Sequence, residues 1–188
     1  MPVLTADGVG VRHRRHWLFR DVGVVAEPGD IVAVVGPPGS GRTTALLALA
    51  DRFRLSAGSV SLSGTAELGY VPGVTEPEPA LSVAEHVEER RLLGGHPPGD
   101  LGALDPGRKA RELGAYEKQV LGLILAGMSD PVVVALDGID HGTSDAERAA
   151  LWQRIDELAA TGVVVLVTAR DADPGRVTHV IRLGEQEQ

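Results

Sequence analysis

Apolar residues in this chain fall into short blocks separated by turn-forming clusters. Ile31-Val32-Ala33-Val34-Val35 is a continuous apolar run, the kind of strand that a parallel sheet buries on both faces. Val132-Val133-Val134-Ala135-Leu136-Asp137 is a second apolar strand and ends in a carboxylate, and Val163 to Thr168 reads as a third. Val3 to Val11 and Trp17 to Ala26 read as strands ahead of these, with a possible bend at Asp7-Gly8 and a turn at Glu27-Pro28-Gly29-Asp30. Val60 to Ser63, Glu67 to Val71 and Val177 to Leu183 complete the strands.

Helical segments lie between them. One runs from the end of a glycine-rich loop to about Phe53, one from Val83 to Leu93, one from about Tyr116 to Met128 and one from Ser144 to Ala160. Ser82 with Glu85, and Ser144 with Glu147, have the spacing of a capping box, in which each residue satisfies the other's orphan N–H. Apolar positions on the second helix are Val83, Val87 and Leu92. Pro72 to Pro79 is irregular, Gly94 to Gly107 reads as a loop, and Gly184 to Gln188 as a polar tail. The order of elements predicts one α/β domain over residues 1–188. It has a parallel core sheet, an antiparallel β region and a small helical lobe at about 74–128.

Composition narrows the function classes. At 188 residues and 43% hydrophobic, the chain can bury a sizeable core. A net charge of −8 argues against non-specific nucleic-acid binding. With no cysteine there is no disulfide, thiolate metal site or cysteine nucleophile. No apolar run approaches the roughly 20 residues of a membrane span, and the start of the chain lacks a signal-peptide pattern. A cytoplasmic location is expected, unless a partner holds the protein at a membrane. Arginine outnumbers lysine 16 to 2, a skew that itself accounts for an arginine where lysine is customary.

That arginine is Arg42. Gly36-Pro37-Pro38-Gly39-Ser40-Gly41-Arg42-Thr43-Thr44 follows the Ile31–Val35 strand and opens a helix, the context of a phosphate-binding loop. Glycines let N–H groups turn inward, and the helix N-terminus adds its positive dipole end. The expected nucleotide-binding residues are Gly36, Pro37, Gly39, Ser40, Gly41, Arg42, Thr43 and Thr44. Thr43 offers a hydroxyl to Mg2+, and Asp137 a carboxylate on the metal side. Arg42 replaces the usual lysine; it keeps the charge but has a planar fork of different geometry.

These residues together resemble the nucleotide-binding domain of ABC transporters over nearly the whole chain. Pro28-Gly29-Asp30 resembles the family's turn before the loop strand. Leu68-Gly69-Tyr70-Val71-Pro72 resembles the strand into its glutamine loop. Leu113-Gly114-Ala115-Tyr116-Glu117-Lys118-Gln119 stands at its signature, Val132 to Asp137 at its Walker B strand, and Val163 to Thr168 at the strand before its switch histidine. The resemblance implies a P-loop NTPase fold with a shortened helical lobe, ATP and Mg2+ as ligands, and an integral membrane transport protein as partner. It also implies a dimer, with itself or with another ATP-binding subunit, in which each phosphate loop meets the other chain's signature. It places an adenine-stacking aromatic before the second strand, where His13 falls by counting and Trp17 is the other candidate.

The departures point away from hydrolysis. Gly138 stands where active members carry the glutamate that polarises water, Ala169 at the switch histidine, and Gly73 at the glutamine. Gly114, Ala115 and Tyr116 replace the signature's serine and both glycines. The expectation is a degenerate subunit that binds MgATP with weak or absent hydrolysis. Two alternatives stay open: an active ATPase with chemistry relocated to Asp140 or His141, and a soluble interaction module without ligand. Glu76 and Glu78 are candidates to replace the glutamine's oxygen. The basic stretch Arg12 to Trp17 is open to stacking on a base, to a solvated hairpin turn, or to contact with an anionic surface.

Overall fold

The computed structural model describes residues 1–173 and 175–184; beyond Gly184, the polar tail expected at the chain end lies outside them. Five strands form one parallel sheet in the order β5-β6-β7-β3-β8. These are β3 (Ile31–Val35), β5 (Ala66–Leu68), β6 (Val133–Leu136), β7 (Val164–Ala169) and β8 (His179–Arg182). A second, antiparallel sheet of three strands has the order β2-β1-β4, with β1 Leu4–His13, β2 His16–Ala26 and β4 Ala57–Leu62. The helices are α1 (Arg42–Leu49), α2 (Val83–Leu92), α3 (Ala115–Gly127) and α4 (Asp145–Ala159), with a 3-10 turn at Ala110–Glu112.

The continuous apolar runs exist because two cores need them. Every residue of β3, β6 and β7 is buried. Alternate side chains go to opposite faces. Val32, Val34, Val133, Ala135, Val164 and Leu166 join one core with α1 and the antiparallel sheet. Ile31, Ala33, Val35, Val134, Leu136 and Val165 join the other with α3 and α4, where Trp152 is also buried. A polar side chain in mid-strand would therefore enter one core or the other.

Both capping boxes form. Glu85 N donates to Ser82 Oγ at 3.2 Å and Ser82 N to Glu85 Oε2 at 2.6 Å. Glu147 N donates to Ser144 Oγ at 3.3 Å and Ser144 N to Glu147 Oε2 at 2.8 Å. Element ends shift elsewhere. The first helix stops at Leu49 rather than near Phe53, and the strand expected to Val71 ends at Leu68. Val71 instead bridges to Thr75 across the irregular segment. On α2, Val83 and His86 are buried, whereas Leu92 is 71% exposed. Arg90 ties α2 down, donating to Glu67 Oε2 at 2.6 Å and to the Leu125 carbonyl at 3.1 Å. Helix α3 packs on β6 and α4.

Candidate functional site

In the sheet, β7 lies between β6 and β3, with Val35 opposite Ala169 and Leu136 opposite Val167. The residues that follow these strands therefore emerge side by side at their carboxyl ends, where open α/β sheets bind ligands. Gly36 follows β3, Asp137 follows β6, and Thr168 and Ala169 close β7. Residues 37–41 then turn the chain into α1. Ser40 N donates to the Pro37 carbonyl at 3.2 Å, and Ala45 N to the Gly41 carbonyl at 2.8 Å. Gly41 is the N-cap in the left-handed region and offers no side-chain cap, so the first N–H groups of α1, at Arg42, Thr43 and Thr44, lack intrahelical acceptors.

Thr43 and Asp137, 94 residues apart in sequence, meet here. Thr43 Oγ1 donates to Asp137 Oδ2 at 2.8 Å. The other carboxylate oxygen accepts from Thr168 Oγ1, which itself accepts from Gly138 N at 2.7 Å. Asp137 N donates to the Tyr70 carbonyl at 3.1 Å, and Gln119 Nε2 to the Asp137 carbonyl at 2.6 Å. Arg42 Nη1 donates to the Ala169 carbonyl at 2.7 Å. Arg42, Thr43, Tyr70, Gln119, Asp137 and Thr168 line a cleft of about 330 Å3 together with Pro72, Ala115, Gly138, Asp140, His141 and Arg170.

The residues fit a magnesium–nucleotide. Thr43 and Asp137 are hard oxygen donors, and Mg2+ is usually held by one or two protein oxygens, with phosphate and water supplying the rest. Among the described residues there is no cluster of three or more His, Cys, Asp or Glu of the kind an all-protein metal cage needs. The loop is a backbone cradle: a Cβ on Gly36 would lie 2.5 Å from the Leu183 carbonyl oxygen and 2.7 Å from Ser40 Oγ. Ser40 Oγ is buried with no hydrogen-bond partner among the described residues.

Other candidates are placed differently. His13 sits exposed at the end of β1, paired with His16 across the turn at Arg14-Arg15. Trp17 lines a cleft of about 830 Å3 between β2 and β8, bordered by Leu183, whose carbonyl abuts Gly36; His13 is not part of that lining. The Arg12 guanidinium covers the Trp17 ring at 5.2 Å. Glu76 and Glu78 line a separate cleft between α2 and α3, and Glu76 Oε1 accepts from Gly73 N at 2.8 Å. The structure thus does not bring them to the phosphate loop. Asp140 Oδ2 accepts from Arg170 N at 2.9 Å. Gly114 caps α3 with backbone alone; its N–H donates to Glu117 Oε2 at 2.9 Å. Sequence reasoning missed Thr168, Gln119 and Arg170. Thr168 carried a signal, as a polar residue closing an apolar strand like Asp137, and so did Gln119, as the last residue of the Leu113–Gln119 stretch; Arg170 carried none.

The fold and this site define a P-loop nucleotide-binding α/β domain. The chain is similar to the zinc import ATP-binding protein ZnuC of Paracoccus denitrificans (strain Pd 1222), 30% identical over 183 residues that cover 90% of this chain and 70% of that protein. It is 28% identical to the zinc import ATP-binding protein ZnuC of Jannaschia sp. (strain CCS1) over 180 residues, 91% of this chain and 74% of that one. The chain belongs to the ATP-binding proteins of ABC transporters. No family model matches it. Its fold matches that of a chain from a metal-chelate type ABC transporter in an inward-facing conformation, with a TM-score of 0.81 at 18% identity, covering 100% of this chain and 82% of the other.

Proposed function

We propose that this chain is a nucleotide-holding subunit: it binds MgATP at Gly36–Thr44 and hydrolyses it slowly or not at all. In this reading the loop N–H groups and Arg42 hold the phosphates, and Thr43 and Asp137 hold the metal. Phosphoryl transfer to water depends on positioning and electrostatics, and a base or orienting group contributes about 10²–10⁴-fold. The observation that carries the reading is Gly138. It follows Asp137 directly, has no side chain, and takes φ 65, a backbone shaped for glycine. Of the other carboxylates of the cleft, Asp137 accepts from threonines through both oxygens and stands on the metal side in this reading, and Asp140 Oδ2 accepts from Arg170 N.

The same reading gives the subunit an integral membrane partner, on the cytoplasmic side. Among the described residues no helix is long and apolar enough to cross a membrane. Leu92 and Leu93, 71% and 76% exposed at the end of α2, offer apolar surface beside the 430 Å3 cleft that Leu93 helps to line. The similar proteins of Paracoccus and Jannaschia are named for zinc import, which makes an import system the natural setting. A signature with Gly114 in place of a capping serine, and Tyr116 half-buried against the core, supports a partner's site poorly. Pairing with a second ATP-binding subunit therefore suits it better than a symmetric ATP-driven pair.

Calorimetry with MgATP and a phosphate-release assay test this together. Binding that Arg42→Ala weakens, with little or no phosphate release, is expected. Brisk release abolished by Asp140→Ala would replace it with the relocated-chemistry reading, because Asp140 and His141 do line the cleft. No binding at millimolar nucleotide would leave a ligand-free interaction module.

A further inference from the structure

Two loops hold one peptide bond at the end of β7. Its carbonyl, on Ala169, accepts from Arg42 Nη1 at 2.7 Å. Its N–H, on Arg170, donates to Asp140 Oδ2 at 2.9 Å. Arg42 belongs to the phosphate loop, and Asp140 to the loop after Asp137. Pinned on both sides, the peptide plane fixes where the Arg170 side chain starts.

Arg170 is exposed, and it lines the cleft together with Arg42, Thr43 and Asp137. It also borders a second, more acidic cleft that includes Asp145, Asp171 and Asp173. Those carboxylates have other cations: Asp145 takes Arg148 at 2.6 Å, Asp173 takes Arg176 at 3.7 Å, and Asp171 faces Arg182 at 3.9 Å. Among the described residues no carboxylate forms an ion pair with Arg170. A guanidinium is suited to this position. It stays charged and presents a planar fork that matches phosphate oxygens.

We propose that Arg170 contacts the terminal phosphate of a bound nucleoside triphosphate and makes the site prefer triphosphate over diphosphate. The inference rests on the reading of the cleft as a magnesium–nucleotide site. The loop N–H groups and Arg42 surround the phosphates nearest α1. A cation on the residue that follows β7, a strand lying between the strand before Asp137 and the strand before the loop, addresses the outermost one. Asp140 is then a positioning residue, acting through the Arg170 backbone.

The test measures the affinities of the full chain for MgATP and MgADP by calorimetry, for wild type, Arg170→Ala, Arg170→Lys and Asp140→Ala. Wild type is expected to prefer MgATP. Arg170→Ala should lower MgATP affinity about tenfold, the scale of one charge-assisted contact, and leave MgADP affinity unchanged. Unchanged MgADP binding also shows that the variant is folded. Arg170→Lys should keep part of the preference, and Asp140→Ala should reduce it by a smaller factor. A preference unaltered in Arg170→Ala, or an equal loss for both nucleotides, overturns the inference and leaves the nucleotide site standing. Wild type that binds neither nucleotide overturns both.

Discussion

Gly36 is the position where a single methyl group reports most directly on the phosphate loop. A Cβ there would lie 2.5 Å from the Leu183 carbonyl oxygen and 2.7 Å from Ser40 Oγ. An unstrained carbon–oxygen contact is about 3.3 Å or longer, so the first approach is short by roughly 0.8 Å. Ser40 can change rotamer, but the Leu183 oxygen cannot move alone. It is backbone, and Leu183 N is bonded to the Val35 carbonyl at 2.8 Å, which ties it to β3. Relief therefore requires the loop to lift or the end of β8 to separate from β3. Overpacking of this kind costs about 1–3 kcal/mol. For a domain of this size each kcal/mol lowers Tm by about 2–4 °C, so Gly36→Ala should melt roughly 2–12 °C below wild type. Because the loop moves, MgATP affinity should also fall, by about tenfold or more.

Gly39→Ala is the control. Gly39 has φ 82 but no atom within 4 Å of its would-be Cβ, so that variant carries left-handed strain of about 1–2 kcal/mol without a clash. Differential scanning calorimetry and nucleotide titration of both variants separate the two effects. If Gly36→Ala melts like wild type and binds MgATP normally, Leu183 does not pack closely on the loop in solution.

Thr43→Val removes both a metal-side hydroxyl and the hydrogen bond to Asp137; nucleotide affinity in Mg2+ should drop about tenfold while affinity in EDTA is unchanged, and an equal Mg2+ effect in both proteins would refute the metal role. Gly138→Glu places a side chain on a backbone at φ 65, costing about 1–2 kcal/mol. Thermal denaturation should show a loss of roughly 2–8 °C, and an unchanged Tm would mean that this backbone relaxes freely. Glu85 is held down from 4.5 to about 2, first by the Ser82 N–H, then by the Ser82 hydroxyl and Lys109. Because the folded value is the depressed one, this capping box stabilises fully above about pH 4.5 and loses its effect as pH falls toward 2. Ser82→Ala removes the hydroxyl but keeps the N–H, so an NMR titration should find the Glu85 value raised yet below 4.5; no rise would contradict the assigned cause.

The elements were legible wherever one local rule decided them. Ile31–Val35 reads as a strand buried on both faces because nothing in it tolerates water, and the two capping boxes form because their partners lie three residues apart. The glycine-rich turn between β3 and α1 was legible for the same reason: glycine spacing, the preceding strand and the following helix are all local. Boundaries were lost where packing overrode pattern. Leu92 continues an apolar spacing along α2, but the helix end projects from the domain and leaves it in solvent. Glu76 and Glu78 sit near the right place in sequence, but the segment folds back through the Val71–Thr75 bridge and turns them to another cleft.

The chain alone, by local spacing, thus marked a glycine-rich strand–loop–helix that contains Thr43 and an apolar strand that ends in Asp137; that Gly138 stands where a carboxylate is customary came from the family resemblance and not from spacing. Only the tertiary structure decided that both oxygens of Asp137 are taken by threonines, one from α1 and one from β7, and that Gln119 reaches the Asp137 backbone. It alone brought Arg42 and Asp140 to opposite sides of the peptide that carries Arg170. These contacts span 18 to 127 residues, and they exist because parallel strands β6, β7 and β3 end side by side. Strand order is set by how helices and sheets cover one another, and no local spacing encodes it.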